Sequence, residues 1–172
     1  DACEELRAFI EKADIPAGCT LLGLSALPSD HPLNVGMLGM HGNLAPNKQT
    51  QQCDLLIAVG MRFDDRITGK LETYAKQARK IHFDIDPSEI NKNVTVDVAV
   101  LGDCKETLVA VTELLKPAEH KAWRKTFEPY AEEETRVVIE PQIHPAEGPL
   151  RMGEVARRVS ELAEHKAILV TD

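Results

Sequence analysis

The stretch Asp54–Gly69, DLLIAVGMRFDDRITG, decides the fold. Its apolar run, Leu55–Val59, ends on Gly60, and Arg62, Asp64, Asp65 and Arg66 then arrive within five positions. An unbroken apolar run closed by glycine reads as a strand buried on both faces, as in a parallel sheet. Open α/β sheets bind their ligands just beyond the carboxyl ends of such strands. Two arginines and two aspartates are costly to hold near a sheet unless they meet partners. The charges therefore read either as a solvated loop or as the lip of a ligand site.

Working outward, Lys80–Asp84 is the next strand, with Ile81, Phe83 and Ile85 on one face and His82, Asp84 and Asp86 on the other. Asp86-Pro87-Ser88-Glu89 carries helix-start chemistry. Val94–Leu101 reads as a further strand ended by Gly102. Asp103-Cys104-Lys105-Glu106 opens a helix to about Leu115, with Leu108, Val111, Leu114 and Leu115 apolar. Lys70–Ala75 has modest helical character.

Upstream, Glu4–Ala13 has a helical stripe (Leu6, Phe9, Ile10, Ala13), and Cys19–Gly23 reads as a short strand. Gly36–Gly42, GMLGMHG, is a Gly-x-x-Gly-x-x-Gly turn and not a dinucleotide fingerprint. Leu44–Cys53 reads as a helix packing back on the sheet, with Pro46 imposing a late start or standing in its first turn. Beyond Pro117, His120–Val138 is charged and spaces Trp123, Phe127 and Tyr130 as one docking face. Glu140–Pro149 reads as an extended connector, Leu150–His165 as an amphipathic helix, and Ala167–Val170 as a strand.

Bulk properties bound the function. The chain has 172 residues, is 43% hydrophobic and carries a net charge of −8, which fits an ordinary globular core and disfavours nucleic-acid binding. No apolar segment approaches the length of a membrane helix. The four cysteines, Cys3, Cys19, Cys53 and Cys104, are scattered. They read as small half-buried hydrophobes in a reducing cytoplasm, with no zinc site or disulfide framework.

Chemistry-bearing groups gather at strand ends: Met40–His41, Arg62–Arg66, and Asp84 with Asp103. In a parallel sheet these ends share one edge. Asp84 can accept from ribose hydroxyls, or cap a loop. Gly102–Asp103 at a helix start can receive an anionic or carbonyl group, or serve only as a cap. Arg62 can pair with a phosphate. Together they compose a dinucleotide cleft with an unusual loop order.

AVGMRFDDRITG, preceded by GMLGMHG and followed by IHFDIDPSEINKN (Ile81–Asn93), closely resembles the acetohydroxyacid synthase family, in the middle domain of its large catalytic subunit. The likeness runs from about Glu4 to about Leu115, and the ILVTD ending also fits. It implies an α/β fold, a Rossmann-like parallel sheet with helices on both faces (a DHS-like NAD/FAD-binding domain), truncated at its first strand. The implied division is a central FAD-binding domain over 1–117, a helical segment and connector over 118–149, and from 150 the start of a thiamine-diphosphate-binding domain. The implied FAD contacts are Thr20, Leu21, Leu38, Gly39, Met40, His41, Gly60, Met61, Arg62, Asp64, Arg66, Ile67, Asp84, Ile85, Gly102 and Asp103.

In the family the FAD is largely structural. Arg66 matches the arginine that binds the carboxylate of the second 2-ketoacid, and Met40, Asp65 and Arg66 match the active-site mouth. Thiamine diphosphate and Mg would be supplied by domains absent from this chain, which alone is not expected to catalyse. A homo-oligomer of catalytic subunits with a separate regulatory small subunit is implied. Two departures stand out: Met61 in place of a smaller residue, and NLAPNK (Asn43–Lys48) after His41. Alternatives are an NAD-dependent deacylase of the sirtuin type, with His41 as weak support, another thiamine-dependent carboligase or decarboxylase, and a non-enzymatic nucleotide module.

Overall fold

The computed structural model describes residues 2–170. Residues up to Tyr130 form one compact unit and those from Ala131 a second. In the first, α1 (Cys3–Ala13) leads into β1 (Ala17–Cys19), which pairs in parallel with β2 (Asn34–Met37). After α2 (Leu44–Thr50) come β3 (Leu55–Val59), the single turn α3 (Asp65–Thr68), β4 (Arg79–Asp84), β5 (Val98–Leu101) and α4 (Cys104–Leu114). The strands β3, β4 and β5 form a second parallel sheet in that order. Alpha5 (Lys121–Lys125) and α6 (Glu128–Glu134) follow.

The apolar run of β3 has two cores to serve. Leu56 and Ala58 face a cluster of Phe63, Tyr74, Ala75, Ala78 and Val94. Ile57 and Val59 face the opposite cluster, where Phe9 and Ile10 of α1 meet Leu27, Leu33 and Leu108 of α4. Side chains alternate across a strand with period two. Helices and turns cover both sides of the sheet, so Leu56, Ile57, Ala58 and Val59 each have an apolar side to face. Alpha1 lies on α4, and Lys12 Nζ donates to the Thr112 carbonyl at 2.6 Å. An ion pair of 3.2 Å between Asp14 and Arg124 ties the end of α1 to α5.

Several expected elements differ in extent. The first strand stops at Cys19; Leu21–Gly23 is a 3₁₀ turn in which the Gly23 N–H donates to the Thr20 carbonyl at 2.9 Å. The run Leu55–Val59 is an edge strand of its sheet, and β4 is the central one. Leu55 is accordingly 44% exposed. Beta5 begins at Val98, later than the alternation suggests. Asp97 closes the head of the ladder, its N–H donating to the Lys80 carbonyl and its carboxylate accepting from the Lys80 N–H at 2.7 Å. The cap at Asp86 forms, with the Ser88 N–H donating to its carboxylate at 2.8 Å, but no helix follows. Asn91 turns left-handed (φ 58°) after one turn, and its side chain receives the Val96 N–H. Lys70–Ala75 is a turn, because Ala75 is also left-handed (φ 42°) and its N–H goes to Gln51 Oε1.

Trp123 and Phe127 stack edge to face, with centroids 5.4 Å apart, and Trp123 packs on the β3 core, as a docking face requires. Beta1 pairs only with β2 and β3 only with β4 among the described residues. A cavity of about 650 Å³, lined by residues of α1, β1, β3 and α5, separates the two sheets.

In the second unit, Thr135–Ile139 is a π-helical turn that runs into α7 (Glu140–Ile143). Helix persists through Pro141 because a proline in the first turn of a helix forfeits no needed N–H, which corrects the extended reading of that stretch. Alpha8 (Met152–Leu162) packs on α7. Arg151 and Arg157 donate to the Pro141 and Ile143 carbonyls, both at 2.8 Å. Ala167–Val170, expected as a strand, has no regular secondary structure and no strand partner among the described residues, and Ile168 and Val170 are exposed. The ILVTD stretch is described only as far as Val170.

Leu108 is fully buried under α1. Leu108→Ala is expected to cost about 2–5 kcal/mol, read as a lower urea midpoint at unchanged slope. Leu114→Ala, 85% exposed on the same helix, is expected to stay within about 0.5 kcal/mol of the parent.

Candidate functional site

The parallel register puts three strand ends level. Val59 lies opposite Phe83, and Asp84 opposite Leu101. The ladder continues one residue further on each side. The Gly60 N–H donates to the Phe83 carbonyl at 2.8 Å, and the Gly102 N–H to the Asp84 carbonyl at 3.0 Å. Gly60, Asp84 and Gly102 therefore converge on one edge, as the sequence pattern requires.

Both glycines have positive φ, 60° and 152°. At Gly60 an added Cβ would meet only Cys104 Sγ, at 3.9 Å, so chain packing does not forbid a side chain there. The open backbone at this strand end suits close approach by a ligand.

The Gly36–Gly42 loop belongs to the other sheet, yet it docks on the charged loop. The Met40 N–H donates to the Arg66 carbonyl at 2.7 Å. Gly39 (φ 102°) has no room for a Cβ, which would lie 2.5 Å from that same carbonyl oxygen. At Gly42 a Cβ would lie 2.3 Å from the Met37 carbonyl oxygen. These glycines are demanded by the chain's own packing. Asn43 Oδ1 receives the Met37 N–H at 2.8 Å. Asn47 clamps Gly39 twice, receiving its N–H at 3.0 Å and donating to its carbonyl at 2.9 Å. NLAPNK thus builds the loop that follows β2.

Asp64 caps α3, receiving the Arg66 N–H at 3.1 Å, and its carboxylate lies 3.4 Å from Arg62. Arg62 and Arg66 are exposed. Among the described residues no carboxylate forms an ion pair with Arg66. Phe63 is buried and left-handed (φ 52°), a strained backbone for an aromatic residue. Asn93 holds it by donating to its carbonyl at 3.1 Å. Met61 packs its side chain into the β3 core, and Ile67 packs against Gly39. Met40 and His41 are exposed beside the Arg66 loop, and Ile85 is exposed beyond β4. Leu38 is half-buried over Gly18. Thr20 and Leu21 stand at the end of β1, in the other sheet, with Leu21 exposed.

Asp84 is buried, and its Oδ1 receives the Asp86 N–H at 2.9 Å. His82, two residues back on the same face, is fully buried against Phe63, with ring centroids 5.0 Å apart. Its Nε2 lies 3.4 Å from Asp84 Oδ2 without hydrogen-bond alignment, and neither ring nitrogen has a hydrogen-bond partner. Asp103 caps α4, its carboxylate receiving the Lys105 N–H at 2.8 Å.

The sequence reading missed His82, Asn43, Asn47 and Asn93. A histidine set between Ile81 and Phe83 on a strand was the available signal for the first. Asparagines beside a glycine turn were the signal for the next two. All four cysteines are free, and Cys19 and Cys53 are buried. Among the described residues no group of three or more His, Cys, Asp or Glu side chains could hold a metal ion, and no helix is long and apolar enough to cross a membrane.

Cys104 opens α4 at this edge. Burial raises its thiol pKa first, and the Asp84 and Asp103 carboxylates raise it further. A raised pKa means less thiolate at pH 8 than an ordinary cysteine has. Asp103→Asn keeps the cap and removes one charge, so Cys104 should alkylate faster at pH 8. The expected gain is below the tenfold that one full pKa unit represents. Mass-spectrometric mapping of iodoacetamide labelling checks it.

The family described as "Thiamine pyrophosphate enzyme, central domain" matches residues 1–111. The acetolactate synthase large subunit of Parasynechococcus marenigrum is 44% identical over 99% of this chain, which covers 27% of that relative. The isozyme 2 large subunit of Escherichia coli is 50% identical over 72% of this chain, covering 22% of it. The large subunit of Corynebacterium glutamicum is 48% identical over 69% of the chain, covering 19% of it. The chain spans about a quarter or less of the length of these relatives. With parallel sheets flanked by helices, three strand ends on one edge and these matches, the chain belongs to the thiamine pyrophosphate enzyme central-domain family.

Proposed function

We propose that this chain is the FAD-binding middle part of an acetolactate synthase large subunit. The complete protein would decarboxylate pyruvate and join the two-carbon unit to a second 2-ketoacid, pyruvate or 2-ketobutyrate, on the path to branched-chain amino acids. One observation carries the reading. The Gly36–Gly42 loop is bonded through Met40 to the Arg66 carbonyl, beside the level ends of β3, β4 and β5. Two motifs that the family resemblance singles out, far apart in sequence, are thereby held against each other.

Each group there has work it can do. The open backbone at Gly60 admits the extended cofactor closely. The Asp84 carboxylate accepts from ribose hydroxyls. Arg62 pairs with phosphate oxygens. The first turn of α4, behind Asp103, favours an anionic or carbonyl group. Arg66, whose guanidinium lacks a carboxylate partner, binds the carboxylate of the second ketoacid. FAD would supply a structural scaffold at the active-site mouth, with no net redox step in the main reaction. Thiamine diphosphate and Mg would be held by parts of the complete protein that this chain does not span. A cytoplasmic homo-oligomer with a regulatory small subunit completes the proposal. The deacylase alternative is not favoured by the family match.

FAD titration, followed by flavin fluorescence and calorimetry on this chain and on the complete protein, tests the reading. Quenching is expected, with Arg62→Ala weakening binding by about tenfold, the scale of one charge-assisted hydrogen bond. Binding of NAD and not FAD by both proteins would overturn it.

The edges of β1 and β3 that face the cavity have no strand partner among the described residues. Unpaired strand edges template pairing with another chain. Sedimentation velocity is expected to show this chain's mass rising with concentration, and a strictly monomeric mass would contradict self-association through these edges.

A further inference from the structure

His82 is fully buried on the central strand of its sheet, and neither ring nitrogen has a hydrogen-bond partner. A buried polar group left unsatisfied is costly, and such groups call for an explanation. The imidazole is fixed in place. Phe63 meets it edge to face at 5.0 Å, and it shares the covered face of β4 with Lys80 and Asp84. Its neighbours on the strand are satisfied: Lys80 Nζ donates to the Ala78 carbonyl at 2.9 Å, and Asp84 Oδ1 receives the Asp86 N–H at 2.9 Å. Asp84 Oδ2 approaches to 3.4 Å of His82 Nε2.

We propose that His82 is the positioning residue for Asp84, donating its Nε2–H to Oδ2 and so presenting the carboxylate to a ribose at the strand ends. The inference rests on the FAD reading above. A short shift of either group converts the 3.4 Å approach into an aligned hydrogen bond. With Oδ1 held by the Asp86 N–H and Oδ2 by His82, the carboxylate plane is fixed. Its remaining lone pairs are then fixed in direction, so that two neighbouring ribose hydroxyls can donate to them. The arrangement parallels the carboxylate–histidine pairs that orient ligating side chains elsewhere. It selects ligands that present the cis-diol of a ribose ring, which the open ribityl chain does not. A flavin mononucleotide, which lacks the second nucleoside, gains nothing from it.

Two measurements test the proposal. Nitrogen-15 NMR of histidine side chains at pH 8 is expected to find His82 with its proton on Nε2, and Asp84→Asn should shift that resonance. A proton on Nδ1, or no response to Asp84→Asn, overturns the pairing without any ligand. In FAD titrations, His82→Phe preserves the ring packing on Phe63 and removes the donor. It is expected to weaken FAD by about three- to tenfold, the range of coupling between contacting groups, and to leave flavin mononucleotide unchanged.

His82→Gln, which can return a donor near Nε2, should recover part of the loss. The double variant His82→Phe/Asp84→Asn should be no weaker than Asp84→Asn. Equal losses for both flavins, or additive losses in the double variant, would show a merely structural role and overturn the proposal. Failure of the unaltered protein to bind FAD would sink the FAD reading itself, and the NMR result would still decide the His82–Asp84 contact.

Discussion

The parallel register of β3, β4 and β5 is the constraint on which the rest depends. It makes one apolar run, Leu55–Val59, answer to two cores at once, and it brings Gly60, Asp84 and Gly102 to the same level. A one-residue slip would exchange the two faces of β3 and carry His82 away from Phe63. Two things resist it. Asp97 holds both polar groups of the Lys80 backbone at the head of β4, and the glycine N–H groups extend the ladder at its foot. The site is thus a by-product of sheet pairing before any functional side chain is considered.

The second ingredient is a contact between loops of different sheets. The geometry at the Met40–Arg66 bond is set by uncharged groups: a glycine with no space for a methyl, two asparagines that imitate backbone partners, and one N–H to carbonyl bond. The charged residues there contribute little to stability. Arg62 and Asp64 are 3.4 Å apart with Arg62 exposed, and exposed pairs of this kind contribute between nothing and about 1 kcal/mol. Charges retained where they add so little stability are free to serve a ligand. Burial, by contrast, is spent on Gly39, Phe63, Ala58 and Thr68, which shape the loops from behind.

What the sequence discloses follows from how local each cause is. The helix over Glu4–Ala13, the β3 run, the β4 strand and the cap at Asp103 were legible because periodicity and capping act within one element. The missing helix after Asp86 and the late start of β5 were not. In both, a left-handed residue or an aspartate bonded to a distant strand overrode local preference. Ala167–Val170 has strand composition but lies without a partner strand, so composition alone could not make it a sheet. Gly36–Gly42 was legible as a turn, but the partner that demands Gly39, the Arg66 carbonyl, lies 27 positions away. At the strand ends, the meeting of Gly60, Asp84 and Gly102 on one edge was readable. The asparagines that shape the loops were not, because their partners are backbone groups that no pattern displays.

Alternation in β4 misleads in an instructive way. Lys80, His82 and Asp84 suggest a wet face, yet all three are buried. A central parallel strand has no wet face, so polar residues placed on it must each find compensation within the fold. Lys80 and Asp84 do so through adjacent backbone groups, and His82 does not. A fold under selection for stability alone would place an apolar residue opposite Ala58, where His82 stands in register. The left-handed Phe63 that packs on it stores further strain, of order 1–3 kcal/mol for such a backbone. Strain and an unpaired imidazole therefore meet at the same strand end, one step behind the carboxylate assigned to the ribose. Their cost falls where a ligand, rather than the folded chain by itself, would recover it.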